Sequence, residues 1–205
     1  SVMKKSESLA QVHRAAEAIE RNAFLQSRMI DELLDMSRIT RGTIKLDLEV
    51  LDLAALVRTV IEAGAASIVQ KGLRVELQAP AETVAVEGDA GRLVQVVQNI
   101  VSNAAKFTPA GGSIRVSLDR DADHARLVVA DTGKGIAPEF LPFAFDIFRQ
   151  QERGMRRAHE GLGIGLSLVK RLTELHQGSV SLSSAGPGRG TEVTVRLPLA
   201  RDMPA

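Results

Sequence analysis

The chain has 205 residues, of which 44% are hydrophobic and 25% are charged, a composition typical of folded globular domains. Its formal net charge of +1 gives no reason to expect a nucleic acid as partner, and no run of eighteen apolar residues predicts a membrane contact for this segment. The absence of cysteine excludes disulfides and thiolate metal sites and fits a reducing compartment such as the cytoplasm.

The N-terminal part of the chain predicts one long helix, because residues 5–38 contain neither glycine nor proline and are rich in Ala, Glu, Arg and Leu. Apolar or small residues recur there at steps of three and four, interrupted once at Gln26: Leu9, Val12, Ala16, Ile19, Ala23, Ile30 and Leu33. Such a helix needs partners to cover its apolar stripe. It either packs on its own globular domain or forms part of a helical hairpin or bundle at a dimer interface, and its length favours the second. We expect a domain boundary between residues 1–42 and 43–200.

Short strands and three helices follow in the remainder of the chain. The patterns predict helices over residues 53–70, 90–107 and 162–177, the first two capped by Asp52 and Asp89. They predict strands over residues 43–50, 73–77, 83–86, 113–118, 125–130, 179–183 and 191–197, and a long functional loop over 131–161. This order favours the α+β class: a two-layer sandwich of a mixed, mostly antiparallel sheet with helices on one face, preceded by the long helix.

The predicted helix over residues 90–107 carries an unusual polar face. Asn99, Asn103 and Lys106 are spaced by four and three residues, so they project from one side. The opposite side is apolar and is predicted to face the core, through Leu93, Val94, Val97, Val101 and Ala104. Such a face is either simply solvated or functional. As a site, an asparagine oxygen could complete the shell of a Mg²⁺ held by phosphates, and the lysine could neutralise phosphate charge.

Two glycine-rich segments add to this face. Asp131-Thr-Gly-Lys-Gly-Ile follows a predicted strand, where it is either a plain turn or a place for close backbone approach to a flat ligand that hydrogen-bonds to the carboxylate. Gly161-Leu-Gly-Ile-Gly-Leu precedes a helix, whose N-terminal N–H groups suit an anion. The stretch before Gly161 is charged and lacks a strand pattern, which disfavours a parallel-sheet dinucleotide fold.

The order and spacing of these three segments resemble the ATP-binding domain of sensor histidine kinases, in the gyrase–chaperone–kinase ATPase superfamily. Residues 99–108 are similar to the family's asparagine box, and 131–136 and 161–166 to its two glycine boxes. Phe145-Asp-Ile-Phe148 is similar to the phenylalanine box at the hinge of an ATP lid, and Gly188–Thr191 to the terminal glycine–threonine motif. Residues 19–22 and 33–38 resemble the second helix of the dimerisation hairpin.

The resemblance implies a role for each matching residue. Asn99 would coordinate Mg²⁺, Asn103 and Lys106 would contact the phosphates of ATP, and Phe107 would flank the nucleotide. Asp131 would bind the adenine amino group near Thr191, under a lid over residues 137–160. The remaining nucleotide contacts would come from the glycine boxes, through Gly133, Gly135, Ile136, Gly161, Leu162, Gly163, Ile164, Gly165 and Leu166. The lid is basic, with Arg149, Arg153, Arg156 and Arg157, and Arg149 is the best single candidate for a catalytic cation beside Asn103 and Lys106.

One position distinguishes transfer from hydrolysis. By the same resemblance, the members of the superfamily that hydrolyse ATP carry a glutamate at the helix position where this chain has Gln95. Because an amide cannot act as a general base, Gln95 argues for passing the γ-phosphoryl group to an external acceptor.

The family's acceptor histidine is not found, since no His-Glu-x-x-x-Pro pattern occurs and His13 is followed by Arg-Ala-Ala. The chain is therefore either cut after the acceptor helix or derived from a protein that lacks the acceptor. His124, His159 and His176 are expected to be ordinary polar positions.

By resemblance, the leading hypothesis is an ATP-dependent histidine kinase module that dimerises through the N-terminal helix and serves the receiver domain of a response regulator. It would lie in the cytoplasm, alone or as part of a membrane-anchored sensor. The alternatives are a non-catalytic ATP-binding sensor or scaffold of the same fold, and a serine kinase or ATPase of the same superfamily.

Overall fold

The computed structural model describes residues 41–151 and 163–200, together with scattered positions between residues 12 and 38. The chain divides into two compact units, Ser1–Ile44 and Lys45–Ala205. In the first unit, every described position from Val12 to Arg38 is helical, as predicted for that stretch. Residues 5–11 of the predicted helix lie outside the described part of the chain.

The second unit contains seven strands and three α-helices in its described part. The strands are β1 (Glu49–Asp52), β2 (Arg74–Gln78), β3 (Ala85–Gly88), β4 (Ser113–Arg120), β5 (His124–Asp131), β6 (Ser179–Ser183) and β7 (Thr191–Pro198). The helices are α1 (Leu53–Gln70), α2 (Ala90–Phe107) and α3 (Gly165–Leu175). The predicted strands after residue 70 agree with these bounds to within two residues.

Five strands form one sheet in the order β2-β4-β5-β7-β6, in which only β2 and β4 run parallel. Alternate residues of its central strands are buried: Ile114, Val116, Leu118, Ala125, Leu127, Val129, Val193, Val195 and Leu197. The three helices pack against this sheet, whereas the intervening residues point to the polar outer face. The predicted two-layer α+β fold with a mixed, mostly antiparallel sheet is confirmed.

The strand predicted for residues 43–50 is wrong over most of its length. Residues 43–48 form no strand, and β1 begins only at Glu49, which pairs with Gly88 at the end of β3. The partner strand stops there because the next residue, Asp89, already caps α2. The alternating pattern before Glu49 therefore has no strand beside it.

Helix α1 begins at a cap that also ties it to the chain before β3. The Asp52 carboxylate accepts hydrogen bonds from the backbone N–H groups of Ala54 (2.9 Å) and Val84 (3.0 Å). By length and composition alone α1 could cross a membrane, with a mean hydropathy of 1.4, but the core helix of a soluble protein passes the same test. One side of α1 is in fact core, through Leu53, Ala54, Val57, Val60, Ile61 and Ile68.

Removing this cap is expected to destabilise the domain. Asp52→Ala leaves two backbone N–H groups without their acceptor and should lower the free energy of unfolding by about 1–2 kcal/mol. Urea titration of the variant measures the loss, with Asp123→Ala in the exposed β4–β5 turn as the matched control. A loss below about 0.5 kcal/mol would contradict the double capping role.

Helix α2 has the predicted bounds and is amphipathic. The Asp89 carboxylate accepts from the Arg92 N–H at 3.0 Å, and the helix ends at Thr108, before Pro109. Its buried residues are Leu93, Val96, Val97, Asn99, Ile100, Val101 and Ala104. Val94, predicted to face the core, is only half-buried, and Val96 and Ile100 take part in the core instead.

Helix α3 is shorter than predicted at both ends. It starts at Gly165 because Gly163 has a left-handed backbone (φ +72°), and it stops at Leu175 because Gln177 does too (φ +58°). Residues 161 and 162 lie outside the described residues. His176, expected to be an ordinary polar position, is buried with 5% of its surface exposed. The predicted loop is irregular over 132–151 apart from one 3₁₀ turn, Leu141–Phe143.

Candidate functional site

The polar face of α2 meets the start of α3. Asn99 is the one polar side chain that α2 buries, with 3% of its surface exposed, and Asn103 is half-buried. A Cβ built on Gly165 would lie 3.6 Å from Asn103 Nδ2 and 3.9 Å from Asn99 Oδ1. The structure therefore brings the asparagine pair and the second glycine segment together at one place.

The N-terminus of α3 is built for close approach. Its N-cap residue, Ile164, makes no side-chain capping hydrogen bond to the first turn. Gly163 and Gly165 surround Ile164, which is fully buried and anchors the turn, and Leu166 is half-buried. Backbone N–H groups at such a terminus favour an anion. Gly161 and Leu162, the first two residues predicted for this segment, lie outside the described part of the chain.

Asp131 lies at the end of β5, directly opposite Thr191 at the start of β7. Its carboxylate accepts a hydrogen bond from the backbone N–H of Gly133 at 2.7 Å and another from the backbone N–H of Thr191. Burial raises the pKa of the Asp131 carboxyl above its ordinary value, against the lowering effect of these two hydrogen bonds. The structure thus places a half-buried carboxylate, whose charge is only partly solvated, beside Thr191.

The first glycine segment joins Asp131 to the end of α2. Lys134 N–H donates to the Phe107 carbonyl oxygen at 3.1 Å, and a Cβ on Gly133 would approach the same oxygen to 2.5 Å. At Gly135 the backbone is left-handed (φ +66°) and crowded by the Gly186 carbonyl, so a larger residue does not fit. The chain from Asp131 to Ile136 is held against α2 on one side and the β6–β7 turn on the other.

The β6–β7 turn is fastened to this segment by Ser184. Its hydroxyl accepts from the Ile136 N–H at 2.9 Å and donates to the Gly190 carbonyl oxygen at 2.6 Å. Gly190 N–H in turn donates to the Gly133 carbonyl oxygen at 3.1 Å. Sequence reasoning missed Ser184, and nothing local distinguishes it, since its partners are 6 and 48 residues away.

One backbone hydrogen bond connects the predicted lid to the second glycine segment. Phe148 N–H donates to the Gly163 carbonyl oxygen at 3.1 Å, and Phe148 has a left-handed backbone (φ +63°) that a phenylalanine rarely adopts. The Arg149 guanidinium lies 4.6 Å from the Phe143 ring centroid and 3.8 Å from the Asp146 carboxylate. Arg149 thus lies within the predicted lid, directly after the hinge segment Phe145–Phe148, while Arg153, Arg156 and Arg157 lie outside the described residues.

Lys134 is a cation that sequence reasoning overlooked. Its ammonium nitrogen lies 4.5 Å from the centroid of the Phe107 ring, the same distance as that of Lys106. Two ammonium groups therefore lie at the end of α2, where the polar face ends. A lysine between the two glycines of Asp131-Thr-Gly-Lys-Gly is the signal that could have pointed to it.

Lys134→Gln is expected to weaken the binding of ATP by about three- to tenfold, because one of two neighbouring cations is lost. Calorimetric titration with Mg-ATP at 50 and 200 mM salt measures the change, which should shrink at the higher salt concentration. Lys45→Gln removes the same charge from an exposed residue and serves as control. Equal affinity in both variants would exclude Lys134 from the site.

The residues suit a magnesium ion that is brought by a phosphate ligand. Among the described residues no group of three or more His, Asp or Glu side chains could hold a metal ion by itself. Asn99 offers a neutral amide oxygen, a hard donor of the kind that Mg²⁺ accepts alongside phosphate oxygens. This donor set fits magnesium bound together with a nucleotide.

Comparison with known proteins identifies the family of this chain. Residues 88–201 match the model of the family described as histidine kinase-, DNA gyrase B-, and HSP90-like ATPase. The sensor histidine kinase TmoS of Ectopseudomonas mendocina is 36% identical over 89% of this chain and 19% of its own length. The sensor protein kinase PmrB of Pseudomonas aeruginosa is 35% identical over 93% of this chain and 38% of its own length.

One solved structure has a similar fold. Full-length ShkA in complex with AMPPNP superposes with a TM-score of 0.74 at 29% identity, covering 86% of this chain and 36% of that one. The chain spans between 13% and 38% of the length of the curated relatives it matches. Since the family model covers more than half of the chain, the chain belongs to the histidine kinase-, DNA gyrase B- and HSP90-like ATPase family, among relatives that are sensor histidine kinases.

Proposed function

We propose that this chain is the catalytic module of a histidine kinase, which binds Mg-ATP and passes its γ-phosphoryl group to a histidine outside the chain. The observation that carries the proposal is the approach of Asn103 and Asn99 to the N-terminal turn of α3. That approach joins two separate segments, α2 and the N-terminal turn of α3, into one anion-binding corner. The full-length structure of the relative ShkA in complex with AMPPNP supports a nucleotide as the anion.

Each part of the corner has a task in this proposal. The Asp131 carboxylate accepts a hydrogen bond from the adenine amino group, because its half-buried position is only partly solvated and favours a donor from the ligand. The glycine segments let the backbone approach the nucleotide, with Phe107 beside it. Lys106 and Lys134 neutralise phosphate charge, and Arg149, directly after the hinge of the lid, adds a further positive charge. Asn99 would hold a magnesium ion brought by the nucleotide, and the ion would offset the charge of the phosphates.

The transfer itself asks little covalent chemistry of the protein. The bond from the γ-phosphorus to the bridging oxygen of ADP breaks as a histidine nitrogen forms a new bond to phosphorus, and the electron pair leaves with ADP. Positioning and charge compensation therefore suffice. The Gln95 side chain accepts a hydrogen bond from the Arg92 guanidinium at 3.0 Å, and its amide cannot take a proton from water. This favours transfer over hydrolysis.

The exposed apolar side chains of the N-terminal unit are evidence for a partner helix. Its described positions expose several large apolar side chains, namely Val12, Ile19, Ile30, Leu33 and Leu34. Such a stripe is stable in water only when covered. We propose that it is covered by dimerisation with a second copy in the parent protein. The phosphoryl group then continues to an aspartate of a response-regulator receiver domain, in the cytoplasm.

The test supplies the missing acceptor as a separate protein. A helical hairpin that carries a His-Glu acceptor is mixed with this chain and radiolabelled ATP, and the same hairpin with alanine in place of histidine is the control. We expect an acid-labile, base-stable label on the first hairpin only. ATP binding without any label would overturn the kinase proposal and support the non-catalytic module, and an acid-stable label would support a serine kinase. Rapid release of free phosphate would contradict the argument from Gln95.

A further inference from the structure

His176 makes two specific hydrogen bonds from a buried position at the C-terminus of α3. Its Nδ1 lies 2.7 Å from the carbonyl oxygen of Leu172, and its Nε2 lies 3.0 Å from the backbone nitrogen of Asp89. A carbonyl can only accept and a peptide N–H can only donate. The two partners therefore assign the neutral ring with its hydrogen on Nδ1, so that Nε2 accepts from Asp89.

This second bond connects the two helices of the candidate site. Asp89 is the N-cap of α2, and its carboxylate also accepts from the N–H groups of Arg92 and Asp47. From Asp89 to Asn99 the chain advances about 15 Å along α2, and from Gly165 to His176 it advances about 16 Å along α3. Because Gly165 lies beside Asn99 and His176 beside Asp89, the helices run antiparallel and pack on each other between the site and His176.

The backbone beside the ring leaves it no freedom to move. A Cβ built on Gly88 would lie 3.0 Å from His176 Cδ2 and 3.3 Å from its Nε2, closer than ordinary packing. The ring is therefore enclosed by the end of β3 on one side and by its own helix on the other. A side chain held this tightly fixes both the distance and the sliding position of α3 relative to α2.

We propose that His176 is a positioning residue for the nucleotide site: through the Asp89 N–H it sets the place of α3 along α2, and so the approach of Gly165 to Asn99 and Asn103. This inference rests on the proposed function, because it assigns a purpose to that approach. It requires no contact between His176 and the nucleotide, which is separated from it by the length of α3.

Two amide variants separate the positioning bond from simple packing. The side-chain amide of His176→Gln reaches about as far as Nε2 and can accept from the Asp89 N–H. The amide of His176→Asn ends near the position of Nδ1 and can serve only the Leu172 carbonyl. We expect His176→Asn to raise the dissociation constant of Mg-ATP at least fivefold, and His176→Gln to stay within twofold of the unchanged protein. Equal losses in both variants would overturn the proposal.

A second readout needs no nucleotide. In ¹⁵N-labelled protein without ATP, His176→Asn should shift the resonances of the Gly165 amide and of the Asn103 side-chain amide, and His176→Gln should leave both in place. Unmoved resonances in His176→Asn would refute positioning. If His176→Asn does not fold, Gly88→Ala keeps the histidine while its added methyl crowds both the ring (3.0 Å from Cδ2) and Leu93 Cδ1 (2.7 Å). It should give the same shifts at Gly165 and Asn103. Shifted resonances in a protein that never binds ATP would uphold the positioning role and reject the proposed function.

Discussion

Asn103→Asp is expected to reduce phosphoryl transfer from ATP to a histidine acceptor by at least about a hundredfold, equivalent to about 2.7 kcal/mol. Aspartate has nearly the same shape as asparagine, so the fold should be retained. It lacks the N–H donor, however, and places a negative charge beside the N-terminal turn of α3, where a triphosphate would bind. Repulsion of the phosphates and loss of a donor act in the same direction.

The control for this variant makes the same change on the same helix. Gln98→Glu also converts an amide to a carboxylate on α2, but its side chain is exposed and lies five residues away, on a different side. We expect Gln98→Glu to transfer at the rate of the unchanged protein and both variants to melt within a few degrees of it. Transfer by Asn103→Asp at a normal rate would remove Asn103 from the site.

How much of this could be predicted from sequence depends on how locally each feature is encoded. Helix α2 has the predicted bounds because Asp89 and Thr108-Pro109 are start and stop signals that act within a few residues. The strand predicted for residues 43–50 is wrong over most of its length because the length of β1 depends on its partner β3, more than thirty residues later. The start of α3 was missed because the left-handed backbone of Gly163 is not visible in a helical pattern.

The site divides in the same way. The spacing of Asn99 and Asn103 is local, and so the shared face was predictable from the residues alone. The pairing of Asp131 with Thr191 joins residues that are far apart in sequence, and only the family resemblance indicated it. Lys134 was overlooked and His176 was expected to be an ordinary polar position, because a lysine in a turn and a histidine at a helix end are ordinary on the surface. Only the packing of Phe107 and of Gly88 makes them distinctive.

The second large effect is expected at Asp131. Asp131→Asn should weaken the binding of Mg-ATP by about ten- to a hundredfold, because a charge-assisted hydrogen bond to the ligand is replaced by a weaker one. The variant amide can no longer accept from Gly133, Thr191 and the ligand together, since it has one oxygen where the carboxylate has two. Calorimetric titration gives the affinity, with Asp119→Asn as the control, an exposed carboxylate paired with Arg126.

The partial burial of Asp131 also determines how the stability of Asp131→Asn should change with pH. Because burial raises the pKa of Asp131 above 3.8, the folded protein holds the proton more tightly than the unfolded chain does. The tighter proton binding stabilises the folded protein. This stabilisation is fully present below the ordinary pKa of the carboxyl and is lost as pH rises through its raised pKa. The stability of Asp131→Asn relative to the unchanged protein should therefore increase between about pH 3 and pH 7.

For Asp119→Asn the sign is opposite, because the Arg126 guanidinium lowers the pKa of the Asp119 carboxyl, so its relative stability should fall over the same range. Urea titrations at several pH values compare the two variants. Parallel pH trends in both would show that the Asp131 carboxylate is not held in a poorly solvated place. A normal ATP affinity in Asp131→Asn would remove it from the nucleotide site, whatever its pH trend.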